Sequence, residues 1–518
     1  MSLKLNVAAN YASQLYATLI GIVLIPLYLK TMGAEAYGLV GFFAMLQAWF
    51  NVLDLGLTPT IARESARFFG GALGATDYRR LFRSLSAIFL AIAVVGGGAL
   101  FSLAPVVAGH WLHVRALPTA EVVAAVQIMA LSVAMRWMGG LYRGVVTGAE
   151  RLVWLSALNA SIATLRFAGV FVSMAIWGYT PTVFFWHQFV VAALELLALL
   201  FVATRLVPAR GELDPPVGWS FAAVRPLLRF SLTIAFTSSV WVFVTQTDKL
   251  VLSGILPLSD YGYFTLAVLV AGGITIVTGP ISTALLPRLA RLHAEGNDVE
   301  SLRLYGQFAQ LTSVVAFTLM ATLSVAAEPL LYAWTGRREI AQAAAPILRL
   351  YALGNGLLAL GAFPFYLQYA RGTLRYHLIG NVGLVVLLIP AIVLAARHAG
   401  GIGAGWVWLS MNVLYLFGWI AYVHHKLEPG FHVHWMKTSV LAVAMPTAMT
   451  AGLLAILQPW MSGLDRSGSL MSTIALGALV LVTASMSAST VRARILNMFA
   501  KPGKRVLIER PVKHQSGA

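Results

Sequence analysis

The chain has 518 residues, of which 59% are apolar and only 11% carry a charge, and its mean hydropathy is +0.80. Soluble domains carry about 25% charged residues, so the polar side chains here are too few to cover a water-facing surface, which excludes a soluble globular enzyme and a disordered chain. The net charge is +17, and the absence of cysteine excludes disulfides, thiolate nucleophiles and cysteine-based metal sites.

Fourteen stretches of the sequence are long and apolar enough to cross a bilayer. A crossing helix needs about 20 such residues, because lipid offers the backbone no hydrogen-bond partner. The first stretch follows Lys4, is longer than a signal-peptide core and lacks a small-residue cleavage pattern, so it is predicted to be a retained helix. In chain order the predicted spans are 7–29, 37–59, 84–108, 120–140, 153–177, 182–204, 230–255, 261–284, 306–328, 345–369, 376–396, 403–423, 438–457 and 469–489.

The distribution of Lys and Arg predicts the orientation of these spans. The loops and termini on the side of the N-terminus hold 26 of the 36 cations, the opposite loops hold six, and four fall inside spans. Cationic loops stay preferentially in the cytoplasm, so both termini are predicted to be cytoplasmic. The surplus of +17 is then explained by topology and by attraction to anionic lipid, and no nucleic-acid binding is predicted.

A weak internal repeat divides the spans into halves. Tyr37-Gly38 opens the second span and Tyr261-Gly262 opens the eighth, at an offset of 224 residues. Each half holds six spans and starts on the same side, which predicts two parallel six-helix repeats. The predicted domains are an N-lobe 1–204, a cytoplasmic linker 205–229 containing "VPARGELDPPVGW", a C-lobe 230–424, an additional helix pair 425–489 and a basic cytoplasmic tail 490–518.

Charged residues inside spans are the candidate functional residues. An ionised side chain at the bilayer centre costs at least about 2.5 kcal/mol, so it usually faces a bundle interior or a watery cavity. Arg166 and Glu195 lie near the middle of adjacent spans at equal predicted depth. They either form a structural ion pair with each other, or serve substrate binding and ion coupling.

Four further charged positions leave two interpretations open. Asp248 and Lys249 are consecutive and diverge by about 100° on a helix, so at least one is expected to face a cavity unless the two compensate each other or snorkel. Arg349 and Arg136 each lie one turn from a predicted span end, where snorkelling competes with a cavity position. The excess of intramembrane cations favours an anionic cargo, and a diphosphate group suits arginine because the guanidinium offers paired donors and keeps its charge.

No catalytic residue, metal or bound cofactor is predicted. Four histidines surround one short loop, and solvation at the membrane interface is favoured there over a metal site. The chain contains no GxxxxGK[ST] motif, so direct use of ATP is not expected. The histidines are His424, His425, His432 and His434.

Four segments of the sequence together resemble a known family. They are "NYASQLYATLIGIVLIPLYLKTMGAEAYGLVGF" at 10–42, "LDLGLTPTIARESAR" at 53–67, "LYRGVVTGAERLVWLSALN" at 141–159 and "TDKLVLSGILPLSDYGYF" at 247–264. The ordered combination resembles the Wzx-type flippases for O-antigen and exopolysaccharide, in the multidrug/oligosaccharidyl-lipid/polysaccharide superfamily. The resemblance covers residues 1–425, and the last two spans resemble the additional helices of longer members.

This resemblance implies a V-shaped, two-lobed bundle that turns a polyprenyl-diphosphate-linked oligosaccharide from the inner to the outer leaflet of the bacterial cytoplasmic membrane by alternating access. A cationic cavity would hold the headgroup, for which Arg166, Lys249, Arg349 and Arg136 are candidates by position. Coupling to a proton or sodium gradient is a further expectation, with Asp248 or Glu195 as the coupling residue. The expected partners are the lipid-linked oligosaccharide, membrane lipids, and the polysaccharide polymerase and export machinery.

Two other functions remain open at this stage. A cation or drug antiporter of the same superfamily would carry several carboxylates in its lumen and usually twelve spans, whereas this chain has fourteen predicted spans and a cationic intramembrane balance. A membrane-embedded glycan polymerase or ligase would need a large outer loop, whereas the longest predicted here, 329–344, has about 16 residues.

Overall fold

The computed structural model describes residues 3–209 and 218–499, which are predominantly helical. Packing divides the chain into two units, Met1–Thr265 and Leu266–Ala518. The helices that begin in the first unit are α1 (Leu3–Val23), α2 (Ile25–Phe50), α3 (Leu57–Phe69), α4 (Ala75–Val106), α5 (Thr119–Gly148), α6 (Leu152–Thr164), α7 (Val170–Trp177), α8 (Pro181–Leu206), α9 (Phe221–Ser253) and α10 (Leu258–Ala294), the last of which continues into the second unit. Those that begin in the second unit are α11 (Asp298–Val325), α12 (Ala327–Thr335), α13 (Arg338–Gly361), α14 (Phe363–Ala370), α15 (Arg375–Leu414), α16 (Ile420–Leu427), α17 (Phe431–Trp435), α18 (Ala442–Ala455), α19 (Gln458–Gly463), α20 (Arg466–Ser487) and α21 (Ser489–Phe499).

The all-α polytopic class predicted from the sequence is confirmed. Eleven helical segments in the described ranges are long and apolar enough to cross a membrane. Two of the fourteen predicted spans, 376–396 and 403–423, fall on a single helical segment, Arg375–Leu427. A kink at Gly400 (φ +54°) lies between the two predicted spans. Predicted span 7–29 falls mostly on α1 and predicted span 230–255 falls on α9, and neither of these two helices is among the eleven. The count of fourteen and the lobe boundaries stay predictions, and the centre of the linker, 210–217, and the tail from 500 lie outside the described residues.

Four short π-helical turns interrupt or end the long helices within the described ranges. A π turn widens the helix, because its backbone hydrogen bonds join residues five apart. One of them joins α6 to α7, so the two helices form one continuous segment, Leu152–Trp177. The π turns are Val107–Trp111, Leu165–Gly169, Tyr415–Trp419 and Met436–Leu441.

Helix α5 is the centre of packing in the first unit. It packs against α8, α4 and the amphipathic helix α3. Helix α3 approaches α5 closely, because Gly144 and Gly148 of α5 face its backbone at Thr58 and Ala62. A side chain at either glycine would collide with that backbone, so the small residues fix the distance between the two helices.

The segment after α4 is tied to two other parts of the first unit. The Glu35 carboxylate accepts three consecutive backbone N–H groups, those of Arg115 (2.5 Å), Ala116 (2.8 Å) and Leu117 (3.0 Å). The Leu258 N–H donates to the His113 carbonyl at 3.0 Å. Loop 112–118 is therefore anchored both to α2 and to the start of α10.

The two Tyr-Gly pairs meet where α2 crosses the start of α10. Gly38 faces the carbonyl of Leu258, and Gly262 faces the carbonyl of Ala34 and the backbone of Gly38. The offset of 224 that relates Gly38 to Gly262 also relates Ala34 to Leu258, so the contact is self-complementary. The repeat pattern thus corresponds to a local structural contact, while the two six-helix repeats stay a prediction.

The histidine cluster of the second unit is partly buried, and here the sequence prediction of interfacial solvation is wrong for His424. Its ring is fully buried among aromatic side chains, with His424 Nε2 2.7 Å from the Tyr305 hydroxyl and Nδ1 3.1 Å from His432 Nδ1. The reason is a reversal of the chain at Gly430 (φ +86°), which folds α17 back so that Trp435 packs edge-on against the His424 ring.

Candidate functional site

Two arginines predicted from the sequence meet at one glutamine in the first unit. Arg136 of α5 donates from Nη1 to Gln47 Oε1 of α2 at 3.1 Å, and Arg166 of the π turn donates from Nη2 to the same oxygen at 3.4 Å. Arg136 also donates from Nη2 to Gln188 Oε1 of α8 at 3.4 Å. The structure therefore brings two of the four predicted cations into one cluster.

The orientation of both glutamine amides is fixed by the backbone. Gln188 Nε2 donates to the Arg166 carbonyl at 3.0 Å, and Gln47 Nε2 donates to the Phe43 carbonyl at 3.4 Å. With each amide NH2 group used in this way, the amide oxygens point at the guanidinium groups. The arginines are thus oriented by neutral acceptors, which add no negative charge of their own at the contact.

The π turn holds Arg166 through its backbone. Three consecutive carbonyls in this turn each accept a hydrogen bond from a side chain of another helix. Leu165 O lies 2.9 Å from His187 Nε2, Arg166 O accepts from Gln188, and Phe167 O accepts from the Tyr28 hydroxyl at 2.6 Å. The widened turn makes these carbonyls available, and its neighbours α2 and α8 satisfy them.

Glu195 pairs with Arg143 and not with Arg166, so the Arg166–Glu195 ion pair, one of the two interpretations that the sequence left open, does not form. Arg143 Nη2 lies 2.6 Å from Glu195 Oε1, and Arg143 Nη1 donates to Asn159 Oδ1 at 2.7 Å. The physical reason is that α8 packs mainly against α5, which carries Arg143, and bonds to the π turn through the Leu165 and Arg166 backbone carbonyls, not through the Arg166 guanidinium. Equal depth on helices adjacent in sequence does not decide which faces meet.

Helix α5 is longer than the span predicted at 120–140, and this changes the position of two arginines. The helix continues to Gly148, so Arg143, which the sequence placed in a cytoplasmic loop, lies inside it. Arg136 lies twelve residues before the helix end, roughly 18 Å from it at 1.5 Å per residue, and not one turn away. Arg136 is therefore too far from the end of α5 for its side chain to snorkel to the membrane interface there, as the predicted span end had allowed.

The remaining predicted residues lie apart from this cluster. Lys249 Nζ lies 3.2 Å from Asp248 Oδ1 and donates to the Thr245 carbonyl at 2.6 Å. These two residues thus adopt the mutual compensation that the sequence left open. Arg349 is half-buried on α13 in the second unit and forms no hydrogen bond or ion pair with another described residue.

The cluster has the chemistry of an anion site. Arg136 and Arg166 are half-buried, so they remain partly accessible. Arg136 Nε is buried and has no hydrogen-bond partner in the described ranges. Paired guanidinium donors and a surplus of positive charge suit a phosphate or diphosphate group.

Sequence reasoning did not identify Gln47, Gln188 and Asn159 as members of the site, and it misplaced Arg143. Isolated glutamines in apolar helices carry a weak signal, because a single amide within a span is common in packed helices. A stronger signal existed in the cost of burying polar groups: each intramembrane arginine requires acceptors, and the amides of the neighbouring spans were the available candidates.

Comparisons with known proteins agree with this architecture. Residues 3–293 match the model of a family described as "Polysaccharide biosynthesis protein". The chain is 30% identical over 254 residues to the "Lipopolysaccharide biosynthesis protein WzxC" of Escherichia coli (strain K12), with 47% of this chain and 50% of that protein covered. It is 25% identical over 317 residues to the "Probable lipid II flippase MurJ" of Rhizobium meliloti (strain 1021), with 57% and 55% covered. The chain therefore spans about half the length of the curated relatives that it matches.

Two solved structures share the fold. The first is "Lipid II flippase MurJ, inward closed conformation", with a TM-score of 0.69 and 13% identity over 95% of this chain and 99% of that chain. The second is an inward-facing multidrug resistance MATE family transporter of the MOP superfamily, with a TM-score of 0.60 and 14% identity over 81% and 96%. At these identities the likeness concerns the fold alone.

Proposed function

The chain belongs to the polysaccharide biosynthesis protein family, and we propose that it moves a polyprenyl-diphosphate-linked oligosaccharide from the inner to the outer leaflet of the bacterial cytoplasmic membrane, for surface or exported polysaccharide. The observation that carries this proposal is the pair of half-buried arginines, Arg136 and Arg166, which are held by neutral amides. Two partial relatives whose names describe lipopolysaccharide biosynthesis and lipid II flipping support it.

The proposed role of the arginine cluster is to bind the headgroup. The two guanidinium groups offer donors to the diphosphate oxygens, and the desolvated setting strengthens each charge-assisted hydrogen bond. Lys249 and Arg349 are the further candidates for contacts with the headgroup. The polyprenyl chain remains in lipid, so only the diphosphate and the sugars need polar surroundings.

Ion coupling and alternating access complete the proposal. Asp248 and Glu195 are the candidate coupling residues, and each already has a cation within 3.2 Å. Binding of H⁺ or Na⁺ at either carboxylate would compete with that cation. Both termini are proposed to be cytoplasmic, and the product would pass to a polymerase and export machinery.

A cation or drug antiporter is the alternative function, and the cluster disfavours it. A cationic drug would meet Arg136 and Arg166 without a carboxylate directly bonded to either in the described ranges. A surplus of positive charge repels such a cargo. A membrane-embedded glycan polymerase or ligase is less favoured still, because the arginine cluster offers donors for binding an anion and no group suited to bond cleavage.

The proposal predicts that cells lacking the protein accumulate undecaprenyl-linked repeat units on the inner leaflet. Wild-type protein should restore transport, whereas Arg136→Ala and Arg166→Ala should reduce its rate roughly 10-fold to 100-fold, the effect of losing one or two charge-assisted hydrogen bonds. Arg166→Lys should also lose activity, because lysine offers no paired donors. The measurement is leaflet-resolved quantification of the lipid-linked oligosaccharide.

Arg151→Ala is the matched control, because Arg151 is an exposed arginine in the turn between α5 and α6. It should retain the wild-type rate at equal expression. Normal surface glycan and no accumulation in the deletion strain would disprove the proposed function.

A further inference from the structure

We infer that Gln47 and Gln188 are specificity-determining residues that make the arginine cluster selective for a diphosphate over a monophosphate link. The inference rests on the proposed function and extends it to the number of phosphate groups. Its basis is that Arg136 and Arg166 contact neutral amide oxygens, and no carboxylate directly, within the described residues.

The ionised groups of the cluster act as one electrostatic unit. Arg136 and Arg166 repel each other, and the Glu195 carboxylate attracts both. Arg143 is bound directly to Glu195 at 2.6 Å. Three cations and one carboxylate leave a surplus of two positive charges.

This surplus matches one headgroup better than the other. A diphosphate that links a lipid to a sugar carries two ionised oxygens, whereas the corresponding monophosphate diester carries one. The diphosphate neutralises a site that has a surplus of two positive charges. With the monophosphate one positive charge stays uncompensated, and such a charge is costly in a low-dielectric environment.

The glutamines preserve the surplus while they orient the arginines. Gln47 Oε1 accepts from both guanidinium groups, and Gln188 Oε1 accepts from Arg136. Glutamate at either position would keep an acceptor oxygen for the guanidinium groups, but it would remove one positive charge from the balance. It would also lose the N–H that donates to the Phe43 or Arg166 carbonyl, a loss that methionine shares. The amide is therefore the acceptor type that positions both arginines without competing with the ligand.

An unused donor in the same cluster supports a ligand role. The Nε–H of Arg136 is buried without an acceptor in the described ranges, although buried polar groups in native structures nearly always have a partner. This N–H without an acceptor belongs to the same guanidinium group that Gln47 and Gln188 orient. A phosphate oxygen is an acceptor of the kind that this guanidinium lacks.

The test compares two probes that differ by one phosphate group. Farnesyl diphosphate linked to N-acetylglucosamine and farnesyl monophosphate linked to the same sugar are titrated against the purified full chain in lipid nanodiscs. We expect the wild type to bind the diphosphate probe at least about tenfold more tightly, since one unit charge at this range shifts binding by that order. Gln47→Glu should bring the ratio of the two Kd values close to one.

Three variants make the result specific. Gln47→Met removes the acceptor but keeps the charge balance, so it should weaken binding of both probes and preserve their ratio. Gln342→Glu makes the same chemical change at an exposed position in the first turns of α13 and should leave both Kd values unchanged. Gln188→Glu adds a carboxylate at the second acceptor and should reduce the ratio of the two Kd values. It provides the same test if Gln47→Glu folds poorly.

The outcomes separate the inference from the proposed function. A wild-type protein that prefers the diphosphate probe, together with glutamate variants that keep the same preference, would overturn the inference and leave the proposed function intact. A wild-type protein that binds neither probe would overturn both the inference and the proposed headgroup site.

Discussion

The ion pair between Glu195 and Arg143 leaves Arg166 to be bonded by an amide oxygen. Arg143 and Glu195 retain 33% and 16% of their side-chain exposure, so the pair is only partly desolvated. Asn159 accepts the second Nη group of Arg143. The three residues thus hold α5, α6 and α8 together beside the arginine cluster, and this predicts that Glu195 has a structural role in addition to any role in coupling.

We expect the two charges to be energetically coupled. Glu195→Leu leaves Arg143 without its carboxylate and should lower stability by about 2 kcal/mol, a value reduced from that of a fully buried pair because Arg143 is partly exposed. Arg143→Met should cost a similar amount. The double variant should lose less than the sum of the two. Thermal unfolding of the purified protein in one detergent measures the cycle, and additive losses would contradict the coupling.

At this scale the sequence identified the residues but not their partners. The cost of burying charge selected Arg136, Arg166 and Glu195 as candidates, and the structure places them in the long apolar helical segments Thr119–Gly148, Leu152–Trp177 and Pro181–Leu206. Their hydrogen bonds depend on which helix faces meet, and residue spacing along one helix carries no information on the orientation of its neighbour. For this reason Gln47 and Arg143 were found only in the structure.

Helix crossings in the first unit depend on glycines that face backbone atoms. At the crossing of α2 and α10, Gly38 lies against the Leu258 carbonyl, and Gly41 lies where an added Cβ would stand 2.7 Å from Thr265 Oγ1. The close approach lets the two backbones pack directly. A larger side chain must push the helices apart, because a backbone carbonyl cannot rotate away as a side chain can.

Gly38→Ala is therefore expected to destabilise the protein by about 1–3 kcal/mol, the usual cost of overpacking. The matched control is Gly98→Ala in α4, where an added Cβ meets nothing within 4 Å. The control should be neutral or slightly stabilising, because alanine favours a helix over glycine. The comparison is made by thermal unfolding in detergent, and equal effects of the two changes would show that the crossing tolerates a methyl group.

Helices were the most predictable elements, because hydropathy over about 20 residues reports burial in lipid directly. Their interruptions were less predictable. The π turn at Leu165–Gly169 has no proline or glycine run before it, and the side chains that satisfy its carbonyls come from α2 and α8. The reversal at Gly430 was likewise not anticipated, and the burial of His424 follows from it.

For the molecule as a whole, the charge distribution makes a prediction about topology that the helices alone do not make. The predicted spans place 26 of the 36 cations on the side assigned to the cytoplasm, and 25 remain there once Arg143 is counted within α5. The turn between α5 and α6 belongs to that side, and the turn between α7 and α8 belongs to the opposite one. The two turns are separated by the single continuous segment Leu152–Trp177.

Single-cysteine labelling tests this topology without background, because the natural chain has no cysteine. Arg151→Cys and Tyr179→Cys lie at exposed positions on the two sides of that segment. A membrane-impermeant maleimide should label Tyr179→Cys in spheroplasts and should label Arg151→Cys only after permeabilisation. The unmodified chain is the control, and the reverse labelling pattern would invert the assigned orientation.

The class of fold followed from composition and periodicity, whereas the number of spans did not. Kinks such as the one at Gly400 merge or divide apolar segments, so a count made from hydropathy depends on where a helix is said to end. The family followed from an ordered set of dispersed motifs. Its match over residues 3–293 includes Arg136, Arg166 and Lys249 but not Arg349, so the cluster lies in the region that the family shares.

The three side-chain donors on the π turn have a thermodynamic consequence for binding. Because His187, Gln188 and Tyr28 immobilise the backbone at Leu165, Arg166 and Phe167, that backbone is ordered before any ligand arrives. A preorganised site loses little conformational entropy on association. In the proposed function, most of the flexibility in the complex would then reside in the cargo, and one rigid anchor would accept lipid-linked sugars of different length and branching.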